Sequence, residues 1–252
     1  MPLDGVRATW ERIGHDDPLW AVLFWEGQEG GRWDVAEFFD TGERDVERFL
    51  EEARVIGAEP ELGCALDFGC GVGRLSRALA RRFQSVDGVD ISEAMVEQAE
   101  RLVGAEFPNC AFTASDRPSL AFPDGRFDFV LSNIVLQHMP SQYAVSYVSE
   151  FLRVLRPGGI AIFQIPSEEL TRSASTNRAI RAVINSLPSQ WREELHRRRR
   201  PRRERELPLY GIPREKVIRA VEHRGGHLLA CIKDQAAGPT WLSYHYIVQR
   251  AR

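Results

Sequence analysis

Two rhythms of apolar residues divide the chain. From Ala65 to Ile165, short apolar runs alternate with stretches whose apolar positions return every three or four residues. The first rhythm reads as buried strands and the second as amphipathic helices. The runs include Leu66-Asp-Phe68, Ser85 to Asp90, Phe127 to Ser132 and Ile160 to Ile165, with a further piece at Phe112-Thr-Ala114. The helical stretches carry Leu75, Ala78, Leu79 and Phe83, then Met95 and Val96, then Val148, Phe151, Leu152 and Leu155. Such βαβ alternation predicts a mostly parallel sheet.

Outside this core the rhythm changes. Residues 1–60 form an amino-terminal helical cap holding Trp10, Trp20, Trp25 and Trp33, with a predicted helix from Glu43 to Ile56. Residues 61–165 are the core. Residues 166–209 interrupt it: Ile180, Val183, Ile184 and Leu187 suggest one amphipathic helix, followed by Pro188 and a basic run from His196 to Arg205. This segment reads as an insertion or lid over the site. Residues 210–252 resume with a helix from about Pro213 to Arg224, a glycine stop at Gly225-Gly226, and strands His227 to Asp234 and Trp241 to Gln249.

The segment Asp67-Phe-Gly69-Cys-Gly71-Val-Gly73-Arg joins the first strand to the first core helix. Three alternating glycines allow a sharp turn and a close approach of backbone to a flat or bulky ligand at the carboxyl edge of a sheet. A dinucleotide fingerprint needs Gly-x-Gly-x-x-Gly. Counted from Gly69 or from Gly71, the third position falls on Arg74 or Ser76, so a nicotinamide cofactor is disfavoured. Asp90 ends the second strand about 20 residues past the turn, where a carboxylate can accept from both hydroxyls of a ribose.

Composition narrows the partners. The 252 residues are 43% hydrophobic and 27% charged, enough for one α/β domain with additions, and the net charge of −3 argues against a polyanion as main partner. Lys216 and Lys233 are the only lysines, which removes any Gly-x-x-x-x-Gly-Lys phosphate loop. Four scattered cysteines fit neither a zinc site nor a disulfide framework, and no basic segment leads into an apolar run at the amino terminus. A cytoplasmic protein with no membrane span is expected. His223 and His227 would share a helix face, but Gly225 and Gly226 break it, so no metal is expected there.

With Asp116-Arg117 after the third strand, Phe122-Pro-Asp-Gly-Arg leading into the fourth, and Leu155-Arg-Pro-Gly-Gly before the fifth, the chain resembles the class I S-adenosylmethionine-dependent methyltransferases. The resemblance is to their broad bacterial small-molecule group. It runs from about Leu62 to Pro166 and more loosely from Tyr210 to Arg250. It implies a Rossmann-like seven-stranded sheet with the last strand antiparallel and helices on both faces. It also implies S-adenosyl-L-methionine as cofactor, S-adenosyl-L-homocysteine as product, and transfer to an oxygen or nitrogen of a small molecule, of natural-product or sugar type.

Carried over position by position, the resemblance puts Asp67, Gly69, Gly71 and Gly73 under the methionyl and ribose portions and Asp90 on the ribose. Ile91 and Met95 fall beside the adenine, Asp116 and Arg117 near its amino group, and Ser132, Asn133 and Gln137 beside the methyl. His138 in Leu136-Gln-His-Met-Pro140 would then project toward the acceptor and could take its proton; the plainer account is a histidine that shapes the loop. Trp33 and Gln164 are the candidate acceptor contacts, against roles in packing and loop bonding. The basic run at Arg197 to Arg203 could steer an anion or be a solvated face. A non-catalytic cofactor-binding regulator and an RNA methyltransferase remain as alternatives.

Overall fold

The computed structural model describes residues 3–24, 27–170 and 207–252. Seven strands form a single sheet in the order β3-β2-β1-β4-β5-β7-β6. They are β1 (Cys64–Phe68), β2 (Ser85–Asp90), β3 (Cys110–Ala114), β4 (Phe127–Ser132), β5 (Leu155–Glu169), β6 (Gly226–Asp234) and β7 (Trp241–Arg250). β1 through β5 pair in parallel, whereas β7 runs antiparallel to both β5 and β6. The order reverses beside β1, whose neighbours are β2 and β4. Ligands of open α/β sheets bind at such a switch point, beyond the carboxyl ends of the strands.

The period-two pleat divides the core between two faces. Ala65, Val86, Phe129, Leu131 and Ile162 face one helical layer, while Leu66, Phe68, Val130, Ala161 and Phe163 face the other. The first layer is α3 (Val35–Val55), α4 (Arg74–Ala80) and α5 (Glu93–Ala99), the last prolonged by a π turn over Glu100–Gly104. The second is α6 (Ser141–Val154) and α7 (Arg214–His223). Ahead of them lie α1 (Leu3–Asp16) and α2 (Pro18–Val22).

The helix expected over Glu43 to Ile56 begins earlier. Asp34 accepts from the Glu37 amide at 2.9 Å and caps α3, so Phe38 and Phe39 join Val46, Phe49 and Ala53 on its buried face. Gly42 inside this helix marks a close approach, because a Cβ there would collide with the Arg74 carbonyl at the start of α4. The amphipathic segment around Ile180 and the basic run from His196 to Arg205 lie outside the described residues. No helix among the described residues is long and apolar enough to cross a membrane.

Candidate active site

The glycine turn stands over the switch point, and each glycine there has its own reason. Gly69, Gly71 and Gly73 take φ of 78°, 52° and 85°, a region that L side chains rarely enter. The Gly69 and Cys70 amides bond the Val89 carbonyl at 2.7 and 3.0 Å, tying the turn to β2, and the side chain of Val135 fills the space where a Gly69 Cβ would stand. Gly71 faces a cleft, across which Val22 of α2 would sit 2.8 Å from an added Cβ. Gly73 instead faces the core: its Cβ would meet Val103 at 2.9 Å and Phe112 at 3.2 Å.

The cleft holds about 980 Å³ of space, its open mouth included. Asp90 lies in its wall, where its Oδ2 accepts from the Gly71 amide at 2.9 Å and its Oδ1 from the Ser92 amide at 3.0 Å. Burial raises the Asp90 carboxyl above the usual carboxylate range, partly offset by the amides of Ser92, Gly71 and Ile91, while the charge of Glu11 pushes the same way as burial. Ile91 and Met95 line the cleft beside it, with Met95 held on a helix that Ser92 caps through the Met95 amide at 3.2 Å.

Asp67 does not reach the cleft lining. It accepts from the Ser76 hydroxyl at 2.6 Å and so braces the turn to α4 from behind. Burial pushes its carboxyl up to about 6, opposed by that hydrogen bond and by the charge of Arg74. Arg74, only 3% exposed, does line the cleft. Its Nη1 bonds Thr41 at 3.1 Å and Asp45 at 2.8 Å, and its buried Nε has no hydrogen-bond partner among the described residues.

At the end of β4 the chain adopts its one described non-glycine positive φ, 63° at Ile134. A β-branched side chain there costs about 1–2 kcal/mol, strain of the kind that collects at functional sites. Asn133, Ile134, Val135 and His138 line the cleft, while Ser132 and Gln137 do not. Ser132 Oγ is buried without a hydrogen-bond partner among the described residues. Behind the wall runs an amide relay. Gln164 Nε2 donates to Ser243 Oγ at 2.7 Å and to Gln137 Oε1 at 3.1 Å, and Gln137 Nε2 lies 3.1 Å from Nε2 of His138.

Asp116 and Arg117 are exposed and outside the lining. Asp116 lies 4.0 Å from Arg7, and the Arg117 carbonyl accepts from the Tyr147 hydroxyl at 2.6 Å. Trp33 is 6% exposed in the core, edge-on to Phe38 with its Nε1 donating to the Leu23 carbonyl at 3.4 Å. Among the described residues the tryptophan that lines the cleft is Trp10 of α1, set edge-on against His138 with ring centroids 5.4 Å apart. Sequence reasoning thus reached Trp10 only as one of the four tryptophans of the cap, and missed Arg74, Tyr147 and Glu11, the last of which accepts from Ser92 Oγ at 2.8 Å and the Ala94 amide at 3.2 Å. Of these only Arg74, next to the third glycine, carried a signal along the chain.

Residues 65–159 match a methyltransferase domain family. The chain is 35% identical over 158 residues to 2-methyl-6-phytyl-1,4-hydroquinone methyltransferase of a Synechocystis strain, covering 62% of this chain and 49% of that protein. It is 35% identical over 139 residues to trans-aconitate 2-methyltransferase of Variovorax paradoxus, covering 54% and 49%. The chain therefore spans about half the length of the curated relatives it matches. In fold it is similar to magnesium protoporphyrin IX methyltransferase from Synechocystis, crystallised with bound S-adenosylhomocysteine, with TM-score 0.64, 21% identity and 98% of each chain covered. The domain match, the sheet order and the glycine turn at the switch point agree in giving this chain a methyltransferase domain over residues 65–159.

Proposed function

We propose that this chain transfers a methyl group from S-adenosylmethionine to an oxygen or nitrogen of a small molecule. The observation that carries this is one cleft bordered by the glycine turn, by Asp90 and by His138. The residues present fit the donor. Each Asp90 oxygen accepts one backbone amide and keeps lone pairs for a ribose hydroxyl, Gly71 leaves open the space that a Cβ would fill, and the buried Nε of Arg74 suits an amino-acid carboxylate. When bound, the donor supplies an electrophilic methyl on a sulfonium whose charge disappears on transfer.

The chain supplies position and dryness, worth about 7–11 kcal/mol when an attacking atom is held near contact distance. Ile91 and Met95 flank the adenine in this reading, with Asp116 and Arg117 at the mouth and Ser132, Asn133 and Gln137 at the end of β4. Asp67 and Gly73 shape the turn from behind. His138 takes the proton of a hydroxyl acceptor; Trp33 and Gln164 support the acceptor wall without touching the acceptor. Residues 1–60 serve as cap, 61–165 as donor-binding core and 210–252 as the completed sheet edge; the lid expected over 166–209 falls mostly outside the described residues. A cytoplasmic location accords with four free cysteines.

Calorimetry with S-adenosylhomocysteine and with NAD tests the donor, and tritiated methyl transfer across a panel of small hydroxyl and amine acceptors tests the reaction. Tight binding of the first ligand only, with turnover of at least one acceptor, is expected. Comparable affinity for NAD would overturn the donor. Binding without turnover across the panel would favour a regulator, and turnover of RNA alone would move the acceptor to nucleic acid.

A further inference from the structure

Away from Asp90 and Arg74, the described lining of the cleft is largely aromatic and apolar. Trp10, Phe24, Phe68 and Tyr147 line it, with Phe68 and Tyr147 tilted at 45° and centroids 4.5 Å apart. Tyr147 has no proton to offer, because its hydroxyl donates to the Arg117 carbonyl. Among the described residues Asp90 and Arg74 are the only Asp, Glu, Lys or Arg in the lining. Both lie by the glycine turn, Asp90 accepting two backbone amides and Arg74 paired with Asp45. The wall from α1 and α2 adds Val6 and Val22.

We infer that the acceptor is a neutral, aromatic-sized apolar molecule carrying a hydroxyl, and not a carboxylate, phosphate or amine-cation substrate. This rests on the methyltransferase reading above. An ion entering this wall would lose water and, among the described lining residues, find no acidic or basic side chain beyond Asp90 and Arg74 at the glycine turn, which disfavours it far more than an apolar ring of the same size. A ring slides against Trp10, Phe68 and Tyr147 with favourable edge and offset contacts. Its hydroxyl is then the one polar group to satisfy, and His138 and Asn133 are polar side chains of the lining.

Matched probes test this by direct binding. Calorimetry on the full chain saturated with S-adenosylhomocysteine compares 2-naphthol with 6-hydroxy-2-naphthoate, which adds one carboxylate to the same rings. The neutral probe should bind at least about tenfold more tightly. Trp10→Ala should weaken naphthol about tenfold and Trp10→Phe should restore most of it, as loss and return of an aromatic contact predict. Val6→Lys should shrink or invert the preference for the neutral probe, a change that general destabilisation does not produce. Equal or tighter binding of the naphthoate, no detectable naphthol binding, or a preference insensitive to both Trp10→Ala and Val6→Lys overturns the inference. Loss of S-adenosylhomocysteine binding in the unmodified chain would instead overturn the underlying reading.

Discussion

Asp90 has two tasks at one carboxylate: it holds the turn through the Gly71 and Ser92 amides and offers its remaining lone pairs to the cleft. Each charge-assisted bond is worth about 1.5–3 kcal/mol, so Asp90→Ala should weaken S-adenosylhomocysteine at least tenfold by calorimetry. An unchanged dissociation constant would leave Asp90 as a brace for the turn and nothing more. His138 is the riskier residue. It is 4% exposed, with one ring nitrogen against Gln137 and its face against Trp10, so packing alone could explain its burial. If it takes the acceptor's proton, His138→Ala should leave donor affinity nearly intact and lower turnover about 10²- to 10⁴-fold. A loss under about threefold in single-turnover transfer would exclude the base role, since general bases contribute well above that.

At the scale of elements, α1 is tied to α5 by one acidic side chain. Glu11 accepts from the Ser92 hydroxyl and the Ala94 amide at the first turn of the helix that carries Met95. The helix dipole favours a carboxylate there. Glu11→Ala should cost about 1 kcal/mol in urea unfolding, and Glu11→Gln, which keeps an accepting oxygen, less. An unchanged urea midpoint in Glu11→Ala would mean that α1 docks through its apolar face alone. This contact also shows where the sequence stops being legible. Local signals located the strands well: the glycine pair at 225–226 and the apolar run after it put β6 within a residue of its true start. The turn from Gly69 to Gly73 and the acid at Asp90 were equally plain, because backbone requirements leave glycines and strand-end carboxylates behind. What periodicity cannot state is which face of a cap helix meets which wall. Of the four tryptophans in the cap the sequence favoured Trp33 as the acceptor contact, yet packing sends Trp33 into the core beside Phe38 and Trp10 to the cleft beside His138. The same reasoning explains α3, whose start at Val35 was hidden by a mid-helix glycine that exists to admit the Arg74 carbonyl.

For the molecule as a whole, the glycine turn places a stability cost at the centre of the sheet. Asp67 sits behind that turn with its carboxyl raised from 3.8 to about 6, chiefly by burial. Between those values the native chain holds a proton that the unfolded chain has released. The contribution to stability is therefore fully present below about pH 4 and is lost as pH rises through about 6. A shift of this size corresponds to about 3 kcal/mol, a large fraction of the net stability of an ordinary domain. Asp90 is shifted in the same direction, so the two carboxylates of the site act together. Asp67→Asn keeps an oxygen to accept from Ser76 and removes the ionisation, so the variant should gain on the parent steadily from pH 4 to pH 7. Urea unfolding at several pH values measures this, and parallel profiles for the two proteins would place the Asp67 carboxyl back in the ordinary carboxylate range. The gain should appear as stability alone: Asp67 lies outside the cleft lining, and S-adenosylhomocysteine affinity at pH 7 should change much less than in Asp90→Ala. A comparable loss of affinity would instead show that the negative charge behind the turn, and not only its shape, serves the donor site.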